Sequence, residues 1–193
     1  MSGYDALILA GGRASRLGGR DKPGLEVGGV PLIERVAAAV PGAGRLVVVG
    51  PARPGLGRAV FRTEDPPGGG PVPALRAGLA EVTAPRTVLL AADLPFLRAR
   101  HVEALLDAVG GGEEGYEKGT PGAGALLVDD DGREQWLVGA WRTAVLAGAL
   151  SAYGGRSLRG LLAPLDPVRL HLPGEPWFDC DTLDDLTHVR SRT

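Results

Sequence analysis

Residues 11–22, Gly-Gly-Arg-Ala-Ser-Arg-Leu-Gly-Gly-Arg-Asp-Lys, set three arginines and a lysine among four glycines. Glycine lets a backbone take positive φ and bring its N–H groups close to a ligand. Successive N–H groups form an anion-binding nest, and Arg13, Arg16, Arg20 and Lys22 add fixed positive charge. Each hydrogen bond to a charged group is worth roughly 1.5–3 kcal/mol, so several together hold a triphosphate. An ordinary strand-to-loop turn with solvated arginines is the competing reading, and the density of cations favours phosphate. Of 21 basic residues only Lys22 and Lys118 are lysine. A compact charge on a flexible stem suits phosphate contact at Lys22, whereas Lys118 reads as solvated in a glycine-rich loop.

The stretch is neither G-x-x-x-x-G-K-[ST] nor G-x-G-x-x-G. Its paired glycines point to a long loop wrapped around phosphates. A second candidate is Asp93, which follows the apolar run Val88–Ala92 and precedes Leu94-Pro95. A carboxylate leaving an apolar strand is costly unless it caps a helix or meets a cation. Mg²⁺ is commonly held by one or two carboxylates plus substrate phosphates. With a phosphate loop at the same sheet edge, Asp93 is the candidate Mg²⁺ ligand rather than a turn acid. Glu64-Asp65 precedes the rigid, bare segment Pro66–Pro71. Asp65 is a candidate acceptor from a ribose hydroxyl or a base N–H, and Glu64 reads as structural. Asp179 and Asp181 flank Cys180; they either complete a metal or acceptor site or form an acidic helix N-terminus. His101, His171 and His188 are scattered and read as packing or surface residues. Trp136, Trp141 and Trp177 read as core or wall.

The elements that must position these residues alternate. Strands are expected at Ala6–Ala10, Arg45–Gly50, Ala59–Thr63 and Thr87–Ala91, and helices at Leu32–Val40, Val72–Val82 and Arg100–Val109. Continuously apolar strands such as Leu46–Val49 predict a mostly parallel sheet covered by helices on both faces. Ligands of such sheets bind beyond the carboxyl ends of the strands, where the Gly11–Lys22 loop, Asp65 and Asp93 fall. After the glycine-rich segment 110–124, strands Ala125–Asp129 and Gln135–Trp141 flank a hairpin turn. Helices near Thr143–Ala152 and Ser157–Ala163, a strand near Val168–Leu172 and a helix near Asp184–Arg190 follow. The fold class is α/β: one Rossmann-like three-layer domain over 1–193. Residues up to about 110 form its nucleotide half and the remainder an acceptor half.

Composition sets the outer limits. The 193 residues are 44% hydrophobic and 23% charged with net charge −2, which favours a globular domain over a nucleic-acid or membrane binder. A single cysteine excludes an internal disulfide and a multi-cysteine metal site. No basic leader precedes the first strand and no apolar run approaches the ~20 residues of a bilayer span. A cytoplasmic monomer is expected.

The run Leu9–Lys22, continued by Gly29-Val30-Pro31-Leu32, resembles the opening signature of the molybdenum cofactor guanylyltransferases, MobA-like nucleotidyltransferases. Glu64-Asp65 with Gly68–Pro71, Asp93-Leu94-Pro95, Gln135 with Val138–Trp141, Gly155–Leu158 and Phe178–Thr182 recur in the family's order. The resemblance implies that Leu9, Ala10, Gly11 and Gly12 line a GTP site, Gly12 and Arg16 meeting phosphates. Lys22 would bridge nucleotide and phosphates, Asp65 would contact the nucleoside and Asp93 would hold Mg²⁺. The implied reaction is attack of the terminal phosphate of molybdopterin, metal-loaded or not, on the α-phosphorus of GTP, with pyrophosphate leaving. Transient contact with other cofactor-assembly proteins is also implied. Four positions depart from the pattern: Gly50 where asparagine is frequent, Trp136 for a frequent proline, and Asp179 and Asp181 for common asparagines. The rivals are a cytidylyl- or other nucleotidyltransferase with a different small phosphorylated acceptor, and a non-catalytic nucleotide-binding partner.

Overall fold

A computed structural model of the chain describes residues 3–11, 21–110 and 122–192. Its spine is a seven-stranded sheet: β1 (Asp5–Leu9), β4 (Leu46–Val49), β5 (Ala59–Arg62), β6 (Arg86–Ala91), β7 (Gly124–Val128), β8 (Glu134–Arg142) and β9 (Val168–His171), in the order β5-β4-β1-β6-β8-β7-β9. The pairings β1–β4, β1–β6, β4–β5 and β7–β9 are parallel, whereas β8 runs antiparallel to both β6 and β7. The chain builds outward from β1 through β4 to β5, then returns to lay β6 on the other side of β1. The order therefore reverses between β1 and β6, and such switch points are where open α/β sheets bind ligands.

Side-chain alternation decides which helix covers which face. Ala6 and Ile8 of β1 join a core with α1 (Leu32–Ala38) and α3 (Ala99–Val109), while Leu7 and Leu9 join another with α2 (Pro71–Leu79), α4 (Thr143–Ala152) and α5 (Leu158–Leu162). Each fully buried Leu or Ile contributes roughly 1.5–3 kcal/mol. Helix α2 approaches the sheet so closely that a Cβ at Gly78 would overlap Leu7 and Val49. A third, smaller cluster joins Val27, Leu32, Phe96, Cys180, Leu186 and Val189. It ties the hairpin of β2 (Glu26–Val27) and β3 (Val30–Pro31) to the last helix, α6 (Leu183–Ser191). Among the described residues no helix is long and apolar enough to cross a membrane.

Element limits follow local chemistry. Helix α1 stops at Ala38, short of the expected Val40, since Val40 precedes Pro41 and a residue before proline is driven out of the α region. The β2–β3 hairpin is additional to the expected elements; Gly28 and Gly29 turn it with φ of 59° and 76°. Both values match the positive-φ pair of a tight hairpin turn.

At the sheet end remote from the rim lies Asp5, 2% exposed. Its Oδ1 accepts from Arg45 N at 2.8 Å, and its Oδ2 from Thr83 N at 2.8 Å and Ala84 N at 2.9 Å. One carboxylate thus fastens the chain leading into β4 and β6 to β1. Removing a charged acceptor strands those donors at a cost of about 1.5–3 kcal/mol or more. Asp5→Ala should lower the melting temperature by roughly 3–12 °C, read by calorimetry, without altering chemistry at the opposite rim.

His101, 3% exposed on α3, accepts from Arg98 N through Nδ1 at 3.2 Å. Burial, reinforced by Arg100 and Arg98, pushes its pKa down to about 4. The unfolded chain takes up this proton near pH 6.5 and the folded chain does so only near 4, so His101 lowers stability as pH falls through that interval. The effect reaches about 3 kcal/mol at the acid end. Urea unfolding at pH 7.5 and 4.5 should show a smaller acid loss in His101→Gln than in the parent protein.

Candidate active site

The rim at the β1/β6 switch point is assembled from three segments that are remote in sequence. Leu9 of β1 pairs with Ala91 of β6, so Gly11 and Asp93 emerge side by side. The segment after Asp93 is pinned by buried Leu94 and Phe96. The backbone N–H of Cys180 donates to the Asp93 carbonyl at 3.3 Å. The Cys180 side chain is fully buried in the third cluster. That placement leaves Asp179 and Asp181 on the other side of an extended strap. The carboxylates of Asp93, Asp179 and Asp181 offer oxygens all within 4.8 Å of one another. A capping box holds the strap's end: Asp185 Oδ2 accepts from Asp181 N at 2.9 Å and Thr182 N at 2.7 Å, while Thr182 Oγ1 accepts from Asp185 N at 3.1 Å.

Lys22 enters this group from a 3₁₀ turn at Lys22–Gly24. Its Nζ donates to Asp181 Oδ1 at 2.5 Å and forms an ion pair with Asp93 Oδ2. Burial pulls the ammonium pKa down, but Asp93 and Asp181 together outweigh it and hold the value above that of an ordinary lysine. Burial, then repulsion from Asp181 and Asp93, raises Asp179. The same burial pushes the Cys180 thiol up to about 11, which leaves it protonated at neutral pH and no nucleophile. The turn is braced from the other side by Arg53, whose Nη1 and Nη2 donate to Asp21 Oδ2 and Oδ1 at 2.6 and 2.5 Å.

Beside Asp93 opens a cleft of about 600 Å³ whose lining includes Gln135, Trp136, Arg156, Arg159, Trp177 and Asp179. A register shift shapes its wall. Leu126 of β7 faces Gly139, yet Leu127 faces Gln135, so Trp136, Leu137 and Val138 are surplus on β8. Bulges of this kind re-aim side chains beside functional sites. Opposite, the N-cap Ser157 Oγ accepts from Gly160 N at 3.0 Å and fixes α5 with Arg156 and Arg159 exposed at the mouth. Trp177 packs on His171, ring centroids 5.4 Å apart.

Of the expected site residues, Lys22 and Asp93 meet, and Asp179 and Asp181 join them. Leu9 and Ala10 are buried at the end of β1, with Ala10 N donating to Val49 O at 2.8 Å. Gly11 lies near Glu64, whose Oε1 accepts from Gly68 N at 2.8 Å, the structural part expected of it. Asp65 is exposed in the following loop, apart from the Lys22–Asp93 pair. Gly12, Arg13, Arg16 and Arg20 lie outside the described residues, as does Lys118. At Gly50 an added Cβ would stand 3.0 Å from Ala10 Cβ and 3.1 Å from its carbonyl, so the asparagine frequent in the family has no room there unless Ala10 shifts. The sequence reading missed the Lys22–Asp181 contact and the Arg53–Asp21 brace. The i, i+2 spacing of Asp179 and Asp181 was the available signal, because an extended segment presents such residues on one face.

The donor set suits a hard divalent ion. All three groups are carboxylates, and Asp93 Oδ1 is buried with no hydrogen-bond partner among the described residues.

A mostly parallel sheet with an ammonium and acids at its switch point defines an open α/β protein whose candidate ligand site lies at this rim. Comparison with known proteins narrows this. Residues 6–169 match the MobA-like NTP transferase domain, and the chain belongs to that family. It is 30% identical to the molybdenum cofactor guanylyltransferase of Rhodobacter capsulatus and 34% identical to that of Cereibacter sphaeroides, each alignment covering 96% of this chain and 94% of the relative. A nucleotidyl transferase structure from Methanothermobacter superposes with a TM-score of 0.78 at 17% identity, covering 98% of this chain and 96% of that one.

If Arg53 braces the turn that carries Lys22, Arg53→Ala should weaken nucleoside triphosphate binding about three- to five-fold, the scale of one ion pair. Isothermal titration reads this, with a melting temperature close to that of the parent.

Proposed function

We propose that this protein transfers GMP from GTP to the terminal phosphate of molybdopterin, releasing pyrophosphate and using Mg²⁺. The observation that carries the reading is the meeting of Lys22 with Asp93 at the switch point, beside a cleft walled by tryptophan and arginine. The family membership and the names of the relatives support the choice of donor and acceptor.

In this reading the triphosphate lies along residues 11–22, with Gly11, Gly12 and Arg16 on its phosphates and Asp65 on the nucleoside. Asp93 would hold Mg²⁺, with Asp179 and Asp181 able to add oxygens; the bound ion supplies charge neutralisation on the phosphates. Lys22 adds a second cation where negative charge gathers. The pterin would lie flat in the cleft against Trp136 and Trp177, its phosphate drawn by Arg156 and Arg159. An acceptor phosphate oxygen forms the new bond to the α-phosphorus while the bond to the β-phosphate oxygen breaks. That oxygen is already anionic, so no general base is required. Catalysis is positioning plus preorganised charge.

With glycine at residue 50, a contact to the base there comes from the backbone or is absent. Pyrophosphate release measured with GTP and with CTP, each with and without molybdopterin, tests the assignment. The expected result is release that needs molybdopterin and favours GTP. Asp93→Asn should reduce turnover by about 10²–10³-fold, as for removal of one preorganised electrostatic group. Turnover near that of the parent removes Asp93 from this role, and faster turnover with CTP shifts the donor to the cytidylyl class.

A further inference from the structure

The Lys22 ammonium occupies the space on which the carboxylates converge. Its side chain is 16% exposed and that of Asp93 15%, and Nζ bonds oxygens of Asp93 and Asp181. Those are two of the three acids whose oxygens fall within 4.8 Å of one another. A divalent ion held by these carboxylates, starting from the unpartnered Oδ1 of Asp93, enters the same cluster. Its charge then lies close to the ammonium, which shares Asp93 and Asp181 with it, and two cations at such range repel. The backbone of the Lys22 turn is held by Leu25 N to Lys22 O at 3.1 Å and by the Arg53–Asp21 pair. The four-carbon stem is the part free to swing.

We propose that Lys22 is the resident counter-cation of the Asp93–Asp179–Asp181 cluster and leaves it when a divalent ion enters, so that the free protein binds the ion weakly. The triphosphate of the proposed reaction then gives the displaced ammonium its next partner; only this last step rests on the nucleotidyl-transfer reading. Metal and nucleotide therefore bind with positive coupling, and the coupling is reciprocal. Asp181 is an aspartate where the family's pattern has asparagine, and its extra charge strengthens the hold on Lys22.

The test uses the full chain without nucleotide. Mn²⁺ binding, followed by electron paramagnetic resonance of the free ion, is compared in the parent protein, Lys22→Met, Lys22→Arg and Lys22→Met/Asp181→Asn, with circular dichroism to verify folding. Lys22→Met should bind Mn²⁺ at least about ten-fold more tightly than the parent, since a neighbouring like charge has been removed. Lys22→Arg should stay close to the parent, and the double variant should lose most of the gain. A folded Lys22→Met with parental affinity overturns the proposal. The second measurement needs no variant. With two lysines in the chain, ¹³C-lysine labelling gives two ε-carbon signals. Titration with Mg²⁺ alone to saturation should move the Lys22 signal and leave that of Lys118 in place. A Lys22 signal unmoved at saturation overturns the proposal even if the variants do not fold. Neither readout involves GTP or turnover, so failure of the transfer reading is detected separately, by absence of pyrophosphate release.

Discussion

Carboxylates crowded at one edge of a sheet repel one another, and this rim holds together because a lysine stands among them. Two unit charges about 4 Å apart interact by about 4 kcal/mol in a partly screened setting. Asp93 and Asp181 would push apart by that order without the ammonium they share. The rest of the architecture makes the arrangement possible. The strand reversal delivers Asp93 beside the end of β1, the buried thiol of Cys180 anchors the strap carrying the other acids, and Arg53 holds the turn beneath Lys22.

A division of labour follows between the two ends of the sheet. Asp5 sits where all its oxygens can be satisfied by backbone donors, so its charge is spent on stability. Asp93 sits where one oxygen has no partner among the described residues, which is an unfavourable arrangement for a purely structural acid. The contrast between a saturated acid and an under-coordinated one, within the same sheet, separates scaffold from chemistry more sharply than burial does.

Most of the fold was legible in the sequence because its strands are buried on both faces and read as unbroken apolar runs. Leu46–Val49 is fully buried, as expected of such a run. Boundaries slipped by one or two residues where proline acts, as at Val40-Pro41. The β2–β3 hairpin was overlooked because two-residue strands leave no periodic signal, although Gly28-Gly29 between two valines marked the turn. Lys22 and Asp93 were legible as types, since each broke its local pattern: a lysine in an arginine-rich chain, an acid ending an apolar strand. Their contact with Asp181 was not, because 159 residues separate Lys22 from Asp181 and only the topology brings them together. Asp5 carried the same warning as Asp93, a carboxylate in an apolar strand, and was passed over.

The surplus residues of β8 bear on how such a protein can diversify. On its inner side β8 keeps straight register with β6, Leu90 opposite Val138, and so stays locked to the strand that leads to Asp93. On its outer side the ladder with β7 is broken between Leu126 and Leu127. A change of spacing in the outer strands β7 and β9 meets this break before it reaches β6. The wall of the cleft beside Trp136 is thereby uncoupled from the rim at β1 and β6, so one can be reshaped without moving the other.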